Sequence, residues 1–192
     1  MSFSWSLPAE GWADMDFLEP VIRWIHLLSG VMWIGLLYFF NFVNADATKE
    51  AAAAGEAAPI SKYIMPRALF FFRWSALVTW LAGAGLLSQA QSSDGTNGFS
   101  GAFAFWAWGQ HAAFMPIGIG AWLGTIMVLN VWGPIWRNQK KILGFVPATD
   151  EQKARARRVA FLASRVNTML SIPMLWFMAT GPHQLFVENV YH

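Results

Sequence analysis

The sequence has no cysteine in its 192 residues. That excludes disulfide bridges, iron–sulfur ligation and thioether attachment of haem through a Cys-x-x-Cys-His site. Charge is also scarce: Asp, Glu, Lys and Arg make up 12% of the chain, against roughly 25% in a soluble globular domain. A surface in water needs more. The formal net charge of +2 leaves no electrostatic footprint for nucleic acid. Phosphate-binding glycine loops, nucleophile triads and carboxylate metal clusters are likewise missing from the pattern. The first residues, MSFSWSLPAEGWADMD, have neither a basic n-region nor an apolar core, which predicts no cleavable signal peptide.

What remains is apolar. Hydrophobic residues account for 56% of the chain, 12 residues are tryptophan and mean hydropathy is +0.38. Indole rings favour the headgroup region of a bilayer. Four apolar runs are long enough to cross ~30 Å of hydrocarbon, which takes about 20 helical residues. They are placed near Pro20–Asn44, Ala68–Gln89, Phe103–Trp136 and Val159–Pro182. The third exceeds one span, so it is expected to tilt or to begin in the interface. Thr149 and Gln152 have capping-box spacing, which starts the fourth helix in water before it enters the bilayer. We read no internal repeat.

Lys and Arg orient these spans. The link between spans three and four carries Arg137, Lys140, Lys141, Lys153, Arg155, Arg157 and Arg158, and the first link carries Lys49, Lys62 and Arg67. The middle loop has none, and the segment before Arg23 has only Glu10, Asp14, Asp16 and Glu19. The positive-inside rule therefore puts the basic links in the cytoplasm and both termini outside. The expected fold is an all-α, integral membrane four-helix bundle, a single domain over residues 1–192 in a bacterial inner membrane.

Two histidines then become informative. His26 lies ~9 Å into span one and His111 ~12 Å into span three, both from the outer face. Imidazoles at one level on different helices suit a b-type haem gripped through its iron. Gly30 and Gly118 share the helical faces of these histidines and are expected to leave room for a macrocycle or for close helix approach. Arg23, one turn outward from His26, is placed to meet haem propionates. Met115 and His183 are alternative second ligands, and Pro116 is expected to perturb the third helix. The competing reading is that each histidine bonds a serine or a backbone carbonyl across a helix interface. A second polar level, comprising Asn41, Asn44, Arg73, Asn130, Arg165 and Asn167, lies toward the cytoplasm. It reads either as snorkelling cations and interhelical hydrogen bonds, or as a site for a polar or anionic ligand or a proton path. Gly120 and Gly124 form a small-xxx-small packing pair.

The runs RWIHLLSGVMWIGLLYFF, FFRWSALVTWLAGAGLL, GAWLGTIMVLNVWGPIWRNQKK and NTMLSIPMLWFMATGPHQ resemble, in order, the membrane domain of the bacterial urate hydroxylase (PuuD) family. That resemblance implies oxidation of urate to 5-hydroxyisourate and a C-terminal cytochrome c domain, which this sequence does not contain. The family also has more spans, and carries histidines near the positions of Gly118 and Val166 here. A weaker similarity is to the four-span HemJ-type protoporphyrinogen oxidases. Three functions follow as expectations. The first is a haem b protein passing electrons to a cytochrome c or a respiratory-complex subunit. The second is a cofactor-free accessory subunit, and the third a porphyrinogen oxidase. The outer acids, including Asp94 and Glu188, are expected to steer a basic partner.

The orientation is directly testable. Ser93→Cys and Lys141→Cys are expected to react with an impermeant thiol reagent from opposite sides of the membrane. Labelling of Lys141→Cys from outside contradicts it.

Overall fold

The computed structural model describes residues 17–91, 95–108 and 114–180. Among them every regular element is helical. Helix α1 (Leu18–Tyr38) runs through a π-helical turn (Phe39–Asn44) into α2 (Ala45–Ala53). A second π turn (Ile60–Ile64) leads into α3 (Met65–Gln89). The short helix α4 (Gly98–Phe103) precedes α5 (Met115–Asn130), which passes through a π turn (Val131–Ile135) into α6 (Trp136–Ile142). Helix α7 (Asp150–Thr180) completes the described residues. The continuous segments Leu18–Ala53, Ile60–Gln89, Met115–Ile142 and Asp150–Thr180 are each long and apolar enough to cross a membrane.

The outward faces confirm the solvent. Val31 and Met169 are each 72% exposed, more than a water-facing surface accommodates as part of continuous apolar faces. Polar contacts turn inward, as hydrocarbon requires. The main packing is α1 on α3 and α5 on α7, and thinner seams between α3 and α5 and between α1 and α7 close a ring. Trp33, Leu37, Phe72, Ala76, Met127 and Val131 meet in one core.

The third span differs from its expected extent. Its helix starts at Met115, with Pro116 in the first turn, instead of running from Phe103. Proline there removes no hydrogen bond, because the first-turn N–H groups have no partner within the helix. Pro116 therefore begins the helix and does not kink it. The fourth helix starts as expected. The Thr149 amide donates to Gln152 Oε1 at 3.1 Å, and the Gln152 amide donates to Thr149 Oγ1 at 3.2 Å, a reciprocal capping box.

The chain also repeats itself, contrary to the reading of four unrelated spans. Each half is a long helix, a π turn, a short helix, a glycine stop and a second long helix. Trp33, Gly35, Asn41 and Gly55 recur with identical spacing as Trp122, Gly124, Asn130 and Gly144. In the second helices Arg73, Ser75 and Thr79 are spaced as Arg165, Asn167 and Ser171. Gly55 and Gly144 have φ of 78° and 80°, and both stops are Schellman motifs. Glu56 N donates to Ala51 O at 2.7 Å, and Phe145 N to Lys140 O at 2.9 Å. Few residues are shared because lipid-facing positions need only be apolar.

Hydrogen bonds hold the basic end, where the links lie. Fully buried Asn167 donates to Met127 O at 3.0 Å and accepts from Asn130 Nδ2 at 2.8 Å. Asn167→Ala removes both of these interhelical bonds, leaving Met127 O only its helical donor Val131 N and Asn130 Nδ2 only Ala163 O, and is expected to cost about 1–2 kcal/mol. Thermal unfolding in detergent checks this. Asn44→Ala, which loses only two long contacts, one to Met65 Sδ and one from Thr48 Oγ1, each 3.4 Å, should melt close to the parent.

Candidate functional site

His26 sits at the α1–α3 interface, half-buried, near the end of the bundle opposite the basic links. Its Nδ1 lies 2.8 Å from the backbone oxygen of Thr79. A carbonyl only accepts, so Nδ1 carries the hydrogen, and in the neutral ring Nε2 keeps its lone pair. This is the second-sphere arrangement that fixes the tautomer of metal-binding histidines. It also realises the competing reading, a hydrogen bond across a helix interface. The Thr79 hydroxyl donates to Ser75 O at 2.7 Å and lies 2.9 Å from Ser29 Oγ, stitching α1 to α3 one turn deeper.

Gly83 makes room for the imidazole. A Cβ there would stand 2.9 Å from His26 Cε1 and 3.1 Å from Nδ1. Neither Gly83 nor Thr79 stood out in the sequence. The available signal was their i, i+4 spacing on one face of span two, facing the level of His26.

The other expected site residues are placed differently. Gly30 serves helix packing: a Cβ there would touch Thr79 Cγ2 at 3.6 Å, so it opens no space for a macrocycle. Gly118 is filled by its neighbours, since its Cβ would fall 2.6 Å from Trp108 Cζ2 and 2.5 Å from Ala102 O. The short helix α4 folds back over the start of α5 and takes that volume. Arg23 is half-exposed and pairs with Glu19 one turn away, where a propionate was expected. His111 and His183 lie outside the described residues. Because α5 begins at Met115, His111 precedes the described spanning helix, and the depth argument for it no longer follows. The repeat instead pairs His26 with Met115, at the same spacing before the Trp-x-Gly signature, on helices diagonally opposed in the ring. Met115 is 44% exposed. Among the described residues no group of three His, Asp or Glu side chains forms a metal cluster.

At the basic end the asparagines are consumed by structure. Asn41 donates to Leu37 O and to Ser164 Oγ, each at 2.8 Å, and Asn130 donates to Ala163 O at 2.9 Å. The side chain of Asn41 meets the Leu37 carbonyl beside the π turn, where the helical ladder shifts register. Arg165 lies exposed over the Phe161 ring, 4.8 Å from its centroid. Arg73 and Arg165 have no hydrogen-bond or ion-pair partner among the described residues, and the Arg73 guanidinium carbon lies 3.8 Å from the Trp136 ring centroid.

Together the fold and the lone interfacial histidine define a multi-pass helical membrane protein with a single half-buried imidazole among its described residues. A family model described as urate oxidase N-terminal matches residues 13–93 and 99–191, and the chain belongs to that family. The two matched segments coincide with the two halves of the repeat. No curated protein and no solved structure matches the chain.

Gly83→Ala should force the imbedded ring to shift, costing about 1–3 kcal/mol by overpacking. Gly85→Ala is the control, because its Cβ would meet Ile22 Cγ2 at an ordinary 3.7 Å. Melting curves should separate the two variants; equal stability would show that the glycine is not there for His26.

Proposed function

We propose that the chain binds haem b through His26 and, as part of a urate-oxidising system in a bacterial inner membrane, passes electrons toward a cytochrome c or another redox subunit on its outer side. The observation that carries this reading is the Nδ1 bond to Thr79 O, which leaves Nε2 as the lone-pair donor of a ring that cannot rotate freely. Family membership supplies the oxidoreductase context. On the His26 side the residues fit a haem: His26 would hold its iron, with the ring oriented from behind by Thr79 O and Gly83 lacking the Cβ that would clash with it. Haem held there supplies one-electron transfer. Thr79 fixes the tautomer through its backbone, Ser29 and Thr79 tie the two helices that carry the site, and His111 or Met115 is the candidate opposite ligand.

A cofactor-free accessory subunit is the second reading. It is favoured by Gly30 and Gly118, whose space is filled by protein.

A reduced-minus-oxidised spectrum of the purified chain, with haem quantified as its pyridine complex, separates the two. The proposal expects a b-type spectrum that His26→Ala abolishes. His111→Ala and Met115→Leu then identify the second ligand, by which of them converts the low-spin signature. A purified chain without haem, or full occupancy in His26→Ala, overturns the assignment.

A further inference from the structure

The outward face of α7 carries charge at a depth where hydrocarbon is expected. Arg158, Leu162, Arg165, Met169, Ile172 and Trp176 follow at alternating steps of four and three residues, so they form one stripe along the helix. All six are exposed. Arg165 stands about 9 Å along the helix from Val159, where the fourth apolar run begins. Charged groups at such depth almost always face the bundle interior or a water-filled cavity. Arg165 instead faces outward, and it makes no hydrogen bond or ion pair with a described residue. Its guanidinium carbon lies 4.8 Å from the centroid of Phe161, one turn nearer the basic end. The side chain is therefore turned back toward the headgroups, the snorkelling posture of a long cation. Arg158 stands on the same stripe two turns nearer that end, also without an ion-pair partner among the described residues.

The repeat supplies an internal control. Orientation needs Lys and Arg on the links at the basic end, and both links have them. Residues 45–67 hold three basic and three acidic side chains, whereas residues 137–158 hold seven basic and two acidic. Tyr63, Met65 and Pro66 stand where the second half has Arg155, Arg157 and Arg158. The two acids, Asp150 and Glu151, lie in the first turn of α7, and Lys153 pairs with Asp150 at 3.8 Å. Arg73, the counterpart of Arg165, is turned against the Trp136 ring at 3.8 Å. One half covers its arginine with an indole; the other leaves it open to lipid.

A guanidinium matches the oxygens of a phosphate. A phospholipid brings a phosphate at headgroup depth and tails for the apolar remainder of the stripe. Free phosphate brings only the first, and an acidic protein in water does not reach the depth of Arg165. The excess of positive charge selects lipids whose headgroups keep a net negative charge.

We propose that the outward stripe of α7 holds an anionic phospholipid of the leaflet at the basic end. Arg165 meets its phosphate, Arg158 strengthens the positive field around the headgroup, and Leu162, Met169 and Ile172 lie along its tails.

Native mass spectrometry of the full chain tests this, with release from micelles that hold equal amounts of phosphatidylglycerol and phosphatidylethanolamine. The parent is expected to retain phosphatidylglycerol about threefold or more over phosphatidylethanolamine. Arg158→Gln/Arg165→Gln should lose that preference. Arg158→Lys/Arg165→Lys should keep most of it, because charge and a long apolar stem remain. Lys62→Gln/Arg67→Gln removes the same charge from the first link and should behave as the parent. Circular dichroism melts establish that the variants are folded, and haem content should be equal in all of them. An unchanged preference in folded Arg158→Gln/Arg165→Gln overturns the site. An equal loss in Lys62→Gln/Arg67→Gln also overturns it, since that marks a general field and no particular stripe. Displacement of the lipid by millimolar inorganic phosphate assigns a free-anion site and rejects the lipid. Equal retention of the two lipids by the parent rejects it too, and leaves the arginines to an acidic protein surface.

Discussion

Hydrocarbon offers no hydrogen bonds, so every polar group carried into the bundle has to find its partner in protein. That requirement organises the inner faces. Tyr38 meets Ser171 across the α1–α7 seam at 3.0 Å, and Trp80 donates to Thr125 across the α3–α5 seam at 2.8 Å. Asn41, Asn130 and Asn167 bridge helices at the basic end. Apolar packing against lipid gains little for helix association, so these bonds and the close approaches at glycine decide which faces meet.

The same requirement separates structural from functional polarity. A residue whose partners are all accounted for belongs to the frame, and the asparagines fall in that class. His26 is half accounted for, with one ring nitrogen bound and the other left with a lone pair. Arg73 stacks on the Trp136 ring but has no hydrogen-bond or ion-pair partner among the described residues. The two groups lie at opposite ends of the bundle, the first on the α1–α3 interface and the second where α3 meets the end of the third span.

Duplication explains much of the remaining architecture. Both halves have a π turn after the equally spaced Trp-x-Gly, the first containing Asn41 and the second following Asn130, and both end the next short helix with a left-handed glycine. Asn41 and Asn167 donate to the carbonyls of Leu37 and Met127, shortly before these turns. The halves then diverge: Val43, Ala47 and Glu50 stand where the second half has Trp132, Trp136 and Gln139.

By itself the sequence determined the membrane class, the four spans, the capped start of α7 and the special status of His26. These depend on hydropathy, local capping chemistry and the cost of an imidazole in hydrocarbon, all of which are local. It misplaced the start of the third span, because an apolar run looks the same whether it is one helix or a short helix folded onto a longer one. Only the tertiary structure decided that Gly118 is filled by Trp108, that Gly83 accommodates the histidine, and that Arg73 is met by aromatic rings while the asparagines are satisfied by hydrogen bonds. Those facts depend on which faces meet across the ring of helices, and a chain of uniformly apolar spans does not encode that choice in its hydrophobic period.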